Sequence, residues 1–315
     1  MNISRNTILS SALVVGAFSL SAFAQELPSE GPVATTALIT AQSKNNVPFN
    51  TAALKLEVNG HAAAIASITP VQTAGAQVAI LIDDGLRGSF DVQIRDVKDF
   101  VRNLPSGTQV FVGYMQNGTV RNEGGFTTDH AAVADSLRIP LTEPGISASP
   151  YFCLSDFVKH WPGQGASARM VLMLTNGVDP YNGSVSPLNQ DSPYVQAAQN
   201  DAQRAGVAVY SIYYGGAGIR GGAASFSGQN YLQQVADATG GESFYQGTIT
   251  PPSLAPYLNE FRKSLSESFL VTFNATANHE KRNTLVSIKL KTEQGGVKLH
   301  VPAAVHPGFA EQASE

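Results

Sequence analysis

The sequence predicts an α/β fold: a doubly wound, mostly parallel sheet with one antiparallel edge strand, joined to a small β-module made by the segments on either side. Three observations predict it. The run Val78-Ala79-Ile80-Leu81-Ile82 carries no charge and ends in Asp83-Asp84-Gly85, as a strand buried on both faces does at its carboxyl end. Similar apolar runs recur between helical patterns of 10–15 residues for some two hundred residues, which implies right-handed crossovers and a parallel sheet. Before residue 71 and after residue 268 the period changes to two, the signature of half-buried strands.

Taken in order, Leu54-Lys55-Leu56-Glu57-Val58 alternates, Asn59-Gly60 marks a tight turn, and residues 64–68 return antiparallel. After the first buried strand, a helix opens near Ser89 with Ile94, Val97, Val101 and Leu104 on one face; Pro105 and Gly107 stop it. The strand 110–115 follows, and Asn117-Gly118 turns it into the antiparallel edge strand at 119–121. A helix begins at Asp129 and ends before Pro140. Ser149-Pro150 and Ser192-Pro193 each pair a helix cap with proline at the first helical position. Between them lies the strand 170–174. The strand 207–213 leads into a glycine-rich loop reaching Gly228, then a helix, a short strand at 242–245, and a last helix opened by Pro251-Pro252. Strands at 269–276, 285–292 and 297–301 close the chain. The divisions are a signal peptide at 1–24, a flexible leader at 25–48, an N-terminal β-segment at 49–74, the α/β domain at 75–267, a C-terminal β-segment at 268–305 and a flexible tail at 306–315.

Arg5 is the sole charge in the first 25 residues, an apolar stretch spans 8–20, and Ala22-Phe23-Ala24 offers a small-x-small cleavage site. The expectation is export to the periplasm or beyond, with no stable membrane insertion after cleavage. The net charge of −4 and the scattered basic residues exclude a phosphate-tracking surface, so nucleic acid is not an expected partner. Cys153 is the single cysteine, so no intrachain disulfide forms. In the run Tyr151-Phe152-Cys153-Leu154 it reads as a buried hydrophobe more readily than as a reactive thiol.

The order of elements, together with Ile82-Asp83-Asp84-Gly85, Leu174-Thr175-Asn176-Gly177 and Ala208-Val209-Tyr210-Ser211-Ile212, resembles the von Willebrand factor type A (vWA) domain family over about residues 50 to 305. The closest likeness is to the exported, acidobacterial type of vWA-related protein. The resemblance implies a divalent cation at the carboxyl rim, held by Asp-x-Ser-x-Ser after the first strand, a threonine from a second loop, and the acid of a Thr-Asp-Gly. Here Asp83 matches the first acid, but Gly85 and Arg87 stand for the serines, Ser147 or Ser149 for the threonine, and Asn176 for the second acid. Glycine offers no side-chain oxygen and arginine only donors, so the expected adhesion site is degraded and no cofactor is expected. Arg87 is the candidate to take the ion's place against Asp83 or Asp84; pointing into solvent is its alternative. A metal is the lesser reading, held by Asp83, Ser149 and Asn176, or by Asp84, Asp129 and Asp179.

Other constellations are weaker. Gly216-Ala217-Gly218-Ile219-Arg220-Gly221 fits a dinucleotide-binding glycine pattern, but further glycines follow where a helix should start. No Gly-x-Ser-x-Gly elbow occurs, and the histidines lack metal-ligand spacing. The expectation is a non-catalytic protein that binds another protein through the loops at 83–89, 127–129, 147–149 and 176–181. The binding residues are Asp83, Asp84, Arg87, Ser147, Ser149, Asn176, Asp179 and Tyr181, with Arg87, Asp179 and Tyr181 in direct contact. The alternatives are a metal-dependent hydrolase using Asp83, Asp84 and Asp179, or a structural subunit of an envelope assembly.

Overall fold

The computed structural model describes residues 31–44, 47–86, 90–122, 124–165, 167–215, 222–276 and 285–308. The expected signal peptide, Arg87, the 216–221 glycine pattern and the end of the tail lie outside the described residues. In chain order the strands are β1 (Val33–Ser43), β2 (Leu54–Val58), β3 (His61–Ala63) and β4 (Ile65–Pro70), followed by the one-turn helix α1 (Val71–Ala74). Strand and helix then alternate through β5 (Ala76–Asp83), α2 (Phe90–Arg102), β6 (Gln109–Gln116), β7 (Thr119–Arg121), α3 (His130–Ser136), α4 (Pro150–Lys159), β8 (Ala168–Thr175), α5 (Pro193–Arg204), β9 (Val207–Tyr213), α6 (Gly222–Thr239), β10 (Ser243–Phe244) and α7 (Ala255–Ser266). Four strands close the chain: β11 (Ser268–Ala275), β12 (Val286–Thr292), β13 (Val297–His300) and β14 (Ala304–Val305).

Among the described residues, the central sheet has six strands in the order β10-β9-β8-β5-β6-β7, parallel except for β7. The absence of polar alternation in β5 has a direct cause, since all eight of its residues are buried. Val78, Ile80 and Ile82 pack with Ile94, Val97 and Phe261 on one face. Ala79 and Leu81 pack with Leu154, Val158 and Val195 on the other. Each such aliphatic side chain taken from water contributes about 1.5–3 kcal/mol. The chain leaves β5 for β6 on one side and later returns through β8 on the other. The strand order therefore reverses between β5 and β8, the place where open α/β sheets form a crevice at their carboxyl ends.

The flanking strands form two four-stranded antiparallel sheets, β13-β1-β11-β4 and β14-β12-β2-β3. They share a core in which Ala37, Ile39, Val271 and Phe273 of the first meet Leu56, Ile288 and Leu290 of the second. The first sheet lies against the α/β part. Leu38 joins the core around α2 and α7, and Thr40 Oγ1 lies 2.9 Å from the Tyr210 hydroxyl.

Three expectations need correction. The stretch expected to be a flexible leader holds β1, an inner strand of its sheet. Its alternation of small, β-branched and apolar residues buries Ala37, Ile39 and Ala41 on one face and Leu38 and Thr40 on the other. The return from the Asn59-Gly60 turn is divided: β3 pairs with β2, whereas β4 crosses to pair with β11. Gly228, expected in a loop, lies inside α6, where the missing side chain admits a close approach described below.

Candidate functional site

β5 and β8 deliver Asp83 and Thr175 side by side to the switch point, and the loop before α4 brings Ser147 over them. Asp83 is 2% exposed. Its Oδ1 accepts from the Gly85 amide at 3.0 Å, and its Oδ2 accepts from Ser147 Oγ at 3.0 Å and Thr175 Oγ1 at 3.1 Å. Burial raises the pKa of this carboxyl, while the three donors pull the other way and the neighbouring Asp84 adds to the rise. Between Ser147 and Ser149, Ala148 holds a φ of +62°, a left-handed conformation that costs a residue with a Cβ about 1–2 kcal/mol. Such strain gathers at functional loops. Ser149 caps α4 by position but makes no side-chain capping bond, and its buried Oγ has no hydrogen-bond partner among the described residues.

Asp84 points elsewhere. The Arg138 guanidinium forks onto it, with Nη1 at 2.6 Å from Oδ1 and Nη2 at 3.2 Å from Oδ2. The Gln116 amide adds a donor to Oδ2. Arg138 also stacks on the Tyr114 ring, 3.8 Å from its centroid, and the Tyr114 hydroxyl donates to the Arg138 carbonyl at 2.7 Å. Arg138, which the sequence does not single out, thus supplies a cation to Asp84; the expectation for Arg87 lies outside the described residues. The signal for Arg138 is its placement just after a short helix that climbs from one edge of the sheet to the other.

The same climb corrects the expected position of the 127–129 loop. Thr127 bridges Val110, at the amino end of β6, and Asp129 caps α3 there by accepting from the Ala132 amide at 2.9 Å. Asp129 is therefore at the opposite edge from Asp83, because β7 runs antiparallel and carries the chain back down. It takes no part in a rim site with Asp84 and Asp179.

Asn176 folds back to accept from the Val178 amide at 3.1 Å. Gly177 has a φ of +67°, and a Cβ on it would lie 2.5 Å from Leu232. Tyr151 donates to the Gly177 carbonyl at 2.7 Å; burial, then the nearby Asp179, push its pKa well up. Asp179 is buried, accepting from Ser192 Oγ at 2.7 Å and the Tyr181 amide at 3.2 Å. It braces the loop instead of facing a partner, which corrects the expectation of direct contact. Tyr181 is 54% exposed. Its ring packs on Phe152 at 5.1 Å, and Phe152 meets Tyr194 edge-on at 5.0 Å, so three aromatics line the rim beside the loop.

The residues present do not fit the cation that the family resemblance implies. One carboxylate contributes, both of its oxygens already accept protein donors, and Asp84 is committed to Arg138. Gly85 is more than a missing ligand. A Cβ there would stand 2.9 Å from the Glu143 carbonyl oxygen and Pro144 Cα, so the 143–145 loop occupies the space a serine would need. The Ser149 hydroxyl is the ligand-type atom left over, and it does not replace a second acid. Among the described residues, no group of three His, Cys, Asp or Glu side chains is placed to hold a metal. Asp83, Asp84 and Asp179, the acids of the hydrolase alternative, each serve different partners.

The chain matches no protein-family model and no curated protein. Solved structures similar to it include the conserved hypothetical protein BatB from Bacteroides thetaiotaomicron, at 13% identity over 61% of this chain and 97% of that one with a TM-score of 0.43. The manganese-loaded TRAP protein of Plasmodium vivax is similar at 11% identity over 75% and 95%, with a TM-score of 0.40. The SpRpn10 VWA domain is similar at 11% identity over 59% and 94%, with a TM-score of 0.35. The α/β assignment stands on the strand order itself. No helix among the described residues is long and apolar enough to cross a membrane.

Proposed function

We propose that this chain is a vWA-like recognition protein of the exported, acidobacterial type, which binds another protein at the carboxyl rim of its central sheet without a metal ion and without catalysis. The observation that carries this reading is the double satisfaction of the acid pair: Asp83 by protein hydroxyls and an amide, Asp84 by the Arg138 fork. A rim whose charges are settled internally offers its partner the exposed rings of Tyr181 and Tyr194, carried on the Phe152 ring. Tyrosine is a favoured anchor at protein interfaces. The apolar, singly charged leader before Ala22-Phe23-Ala24 supports export, and the two flanking sheets would serve as a module holding the rim clear.

Calorimetric titration of the full chain with Mg²⁺, Mn²⁺ and Ca²⁺ tests the metal-free part: no micromolar binding is expected, and a micromolar site lost in Asp83→Ala would overturn it. Cross-linking in envelope extract tests the surface. The partner captured by the native chain should be lost with Tyr181→Ala/Tyr194→Ala, and retention of every partner refutes the rim as the working face. Phosphatase, esterase and peptidase screens with added metals should stay blank.

A further inference from the structure

We propose that the aromatic rim takes an arginine-bearing segment of its partner protein, with the guanidinium stacked on the exposed tyrosine rings and held against the Asp191 carboxylate. This inference rests on the rim being the working face and adds the charge of what binds there.

Tyr181, in the loop after β8, and Tyr194, in the first turn of α5, are 54% and 38% exposed, and both rings rest on Phe152. Asp191 lies between them. Its carbonyl accepts from Nδ2 of Asn182, the neighbour of Tyr181, at 2.7 Å. The next residue, Ser192, accepts the Tyr194 amide at 3.2 Å. Asn182 Nδ2 also lies 3.1 Å from the buried Tyr231 hydroxyl, so the loop is tied down in advance and little ordering opposes binding.

Charge selects the occupant. Neither segment 170–203, which carries Asp191 and both tyrosines, nor segment 139–158, which carries Phe152, contains a lysine or arginine. Asp191 is exposed, and its carboxylate makes no hydrogen bond or ion pair among the described residues. The other acids of the first segment are buried and engaged, Asp179 by Ser192 and Asp201 by Lys159 and Arg204. The N-terminus of α5 offsets only about half of the Asp191 charge. The remainder stands beside ring faces, which attract a cation within about 6 Å of their centroids. Guanidinium is the cation whose plane stacks on a ring while its edge forks onto a carboxylate. The Tyr181 and Tyr194 hydroxyls, which have no hydrogen-bond partner among the described residues, can accept its remaining N–H groups. An acidic partner would meet no counter-charge on either segment.

The protein builds the same combination internally, where Arg138 stacks on Tyr114 and forks onto Asp84. At the rim the rings and the carboxylate are in place, and the arginine comes from the partner.

The full-length protein is titrated into a fluorescein-labelled peptide, Gly-Ser-Arg-Gly-Ser-Arg-Gly-Ser, and into the same peptide with citrulline for both arginines, which keeps the shape and removes the charge. Anisotropy should rise saturably for the arginine peptide with a midpoint at or below about 1 mM. The citrulline peptide should bind at least about tenfold more weakly. Asp191→Asn should weaken the arginine peptide about fivefold, and Tyr181→Ala/Tyr194→Ala at least about tenfold. No saturation to about 10 mM, equal binding of the two peptides, or an Asp191→Asn variant that binds as the native chain does overturns the proposal. If the cross-linked partner is lost with Tyr181→Ala/Tyr194→Ala while the two peptides bind alike, the rim stands as the working face and its preference for arginine falls. Retention of every partner refutes both. Circular dichroism establishes folding, and Asp191→Asn, on an exposed side chain, decides alone if the double variant does not fold.

Discussion

Arg138 lays two guanidinium nitrogens on the two oxygens of Asp84, at 2.6 and 3.2 Å, while the Asp84 side chain is wholly buried. Removing one partner from such a pair leaves an uncompensated charge inside the protein, at a cost of about 3 kcal/mol or more. Arg138→Met should therefore lower the unfolding free energy, read from urea denaturation, by an amount of that size. Asp84→Asn added to Arg138→Met should recover much of the loss. A single Arg138→Met as stable as the native chain would show that water reaches Asp84.

Asp83 makes the opposite prediction about charge. Burial raises its folded-state pKa above the unfolded 3.8, so above the raised value its ionisation costs stability. That cost is relieved as pH falls through the folded pKa and is gone below 3.8. Asp83→Asn retains an acceptor for the Gly85 amide and offers its own amide to the two hydroxyls. At neutral pH it should raise the melting temperature, and the gap should close below pH 3.8. A lower melting temperature at neutral pH would mean that the three donors outweigh desolvation.

A Cβ on Gly228 would stand 2.0 Å from the Asn176 carbonyl oxygen. Gly228→Ala must push α6 away from the rim loop, at a cost of about 1–3 kcal/mol. Gly222→Ala, in the first turn of the same helix with open space around it, should change stability by less than about 0.5 kcal/mol. Chemical denaturation of the two variants side by side separates packing from helix propensity.

Burial, with Asp83 nearby, pushes the Cys153 thiol up to about 12. The native protein should then resist Ellman's reagent at neutral pH, and one thiol should react once denaturant is added. Rapid labelling of the folded chain would contradict its burial.

Much of the α/β core was legible because β5, β8 and β9 are buried on both faces and so carry unbroken apolar runs, while Ser192-Pro193 and Asp129 cap their helices locally. A hydroxyl from Ser147 or Ser149 beside Asp83 was legible only through the family resemblance, and the hydrogen bond to Asp83 selects Ser147. Arg138 was not, because nothing local distinguishes an arginine that will stack on Tyr114 from one bound for solvent; the pairing depends on the direction of β7. The same dependence misplaced Asp129 at the rim. β1 escaped because its polar, threonine-containing sequence resembles a linker until its neighbours, β11 and β13, are known.

Those neighbours have a consequence for how the molecule comes together. β1 takes its hydrogen bonds from the final segment of the chain, with Thr40 opposite both Ser268 and His300. Such long-range pairing is slow to form, and until it does, β1 presents two naked backbone edges open to foreign strands. These two segments should therefore close late in folding, and removing either one should yield aggregates before it yields a smaller folded protein.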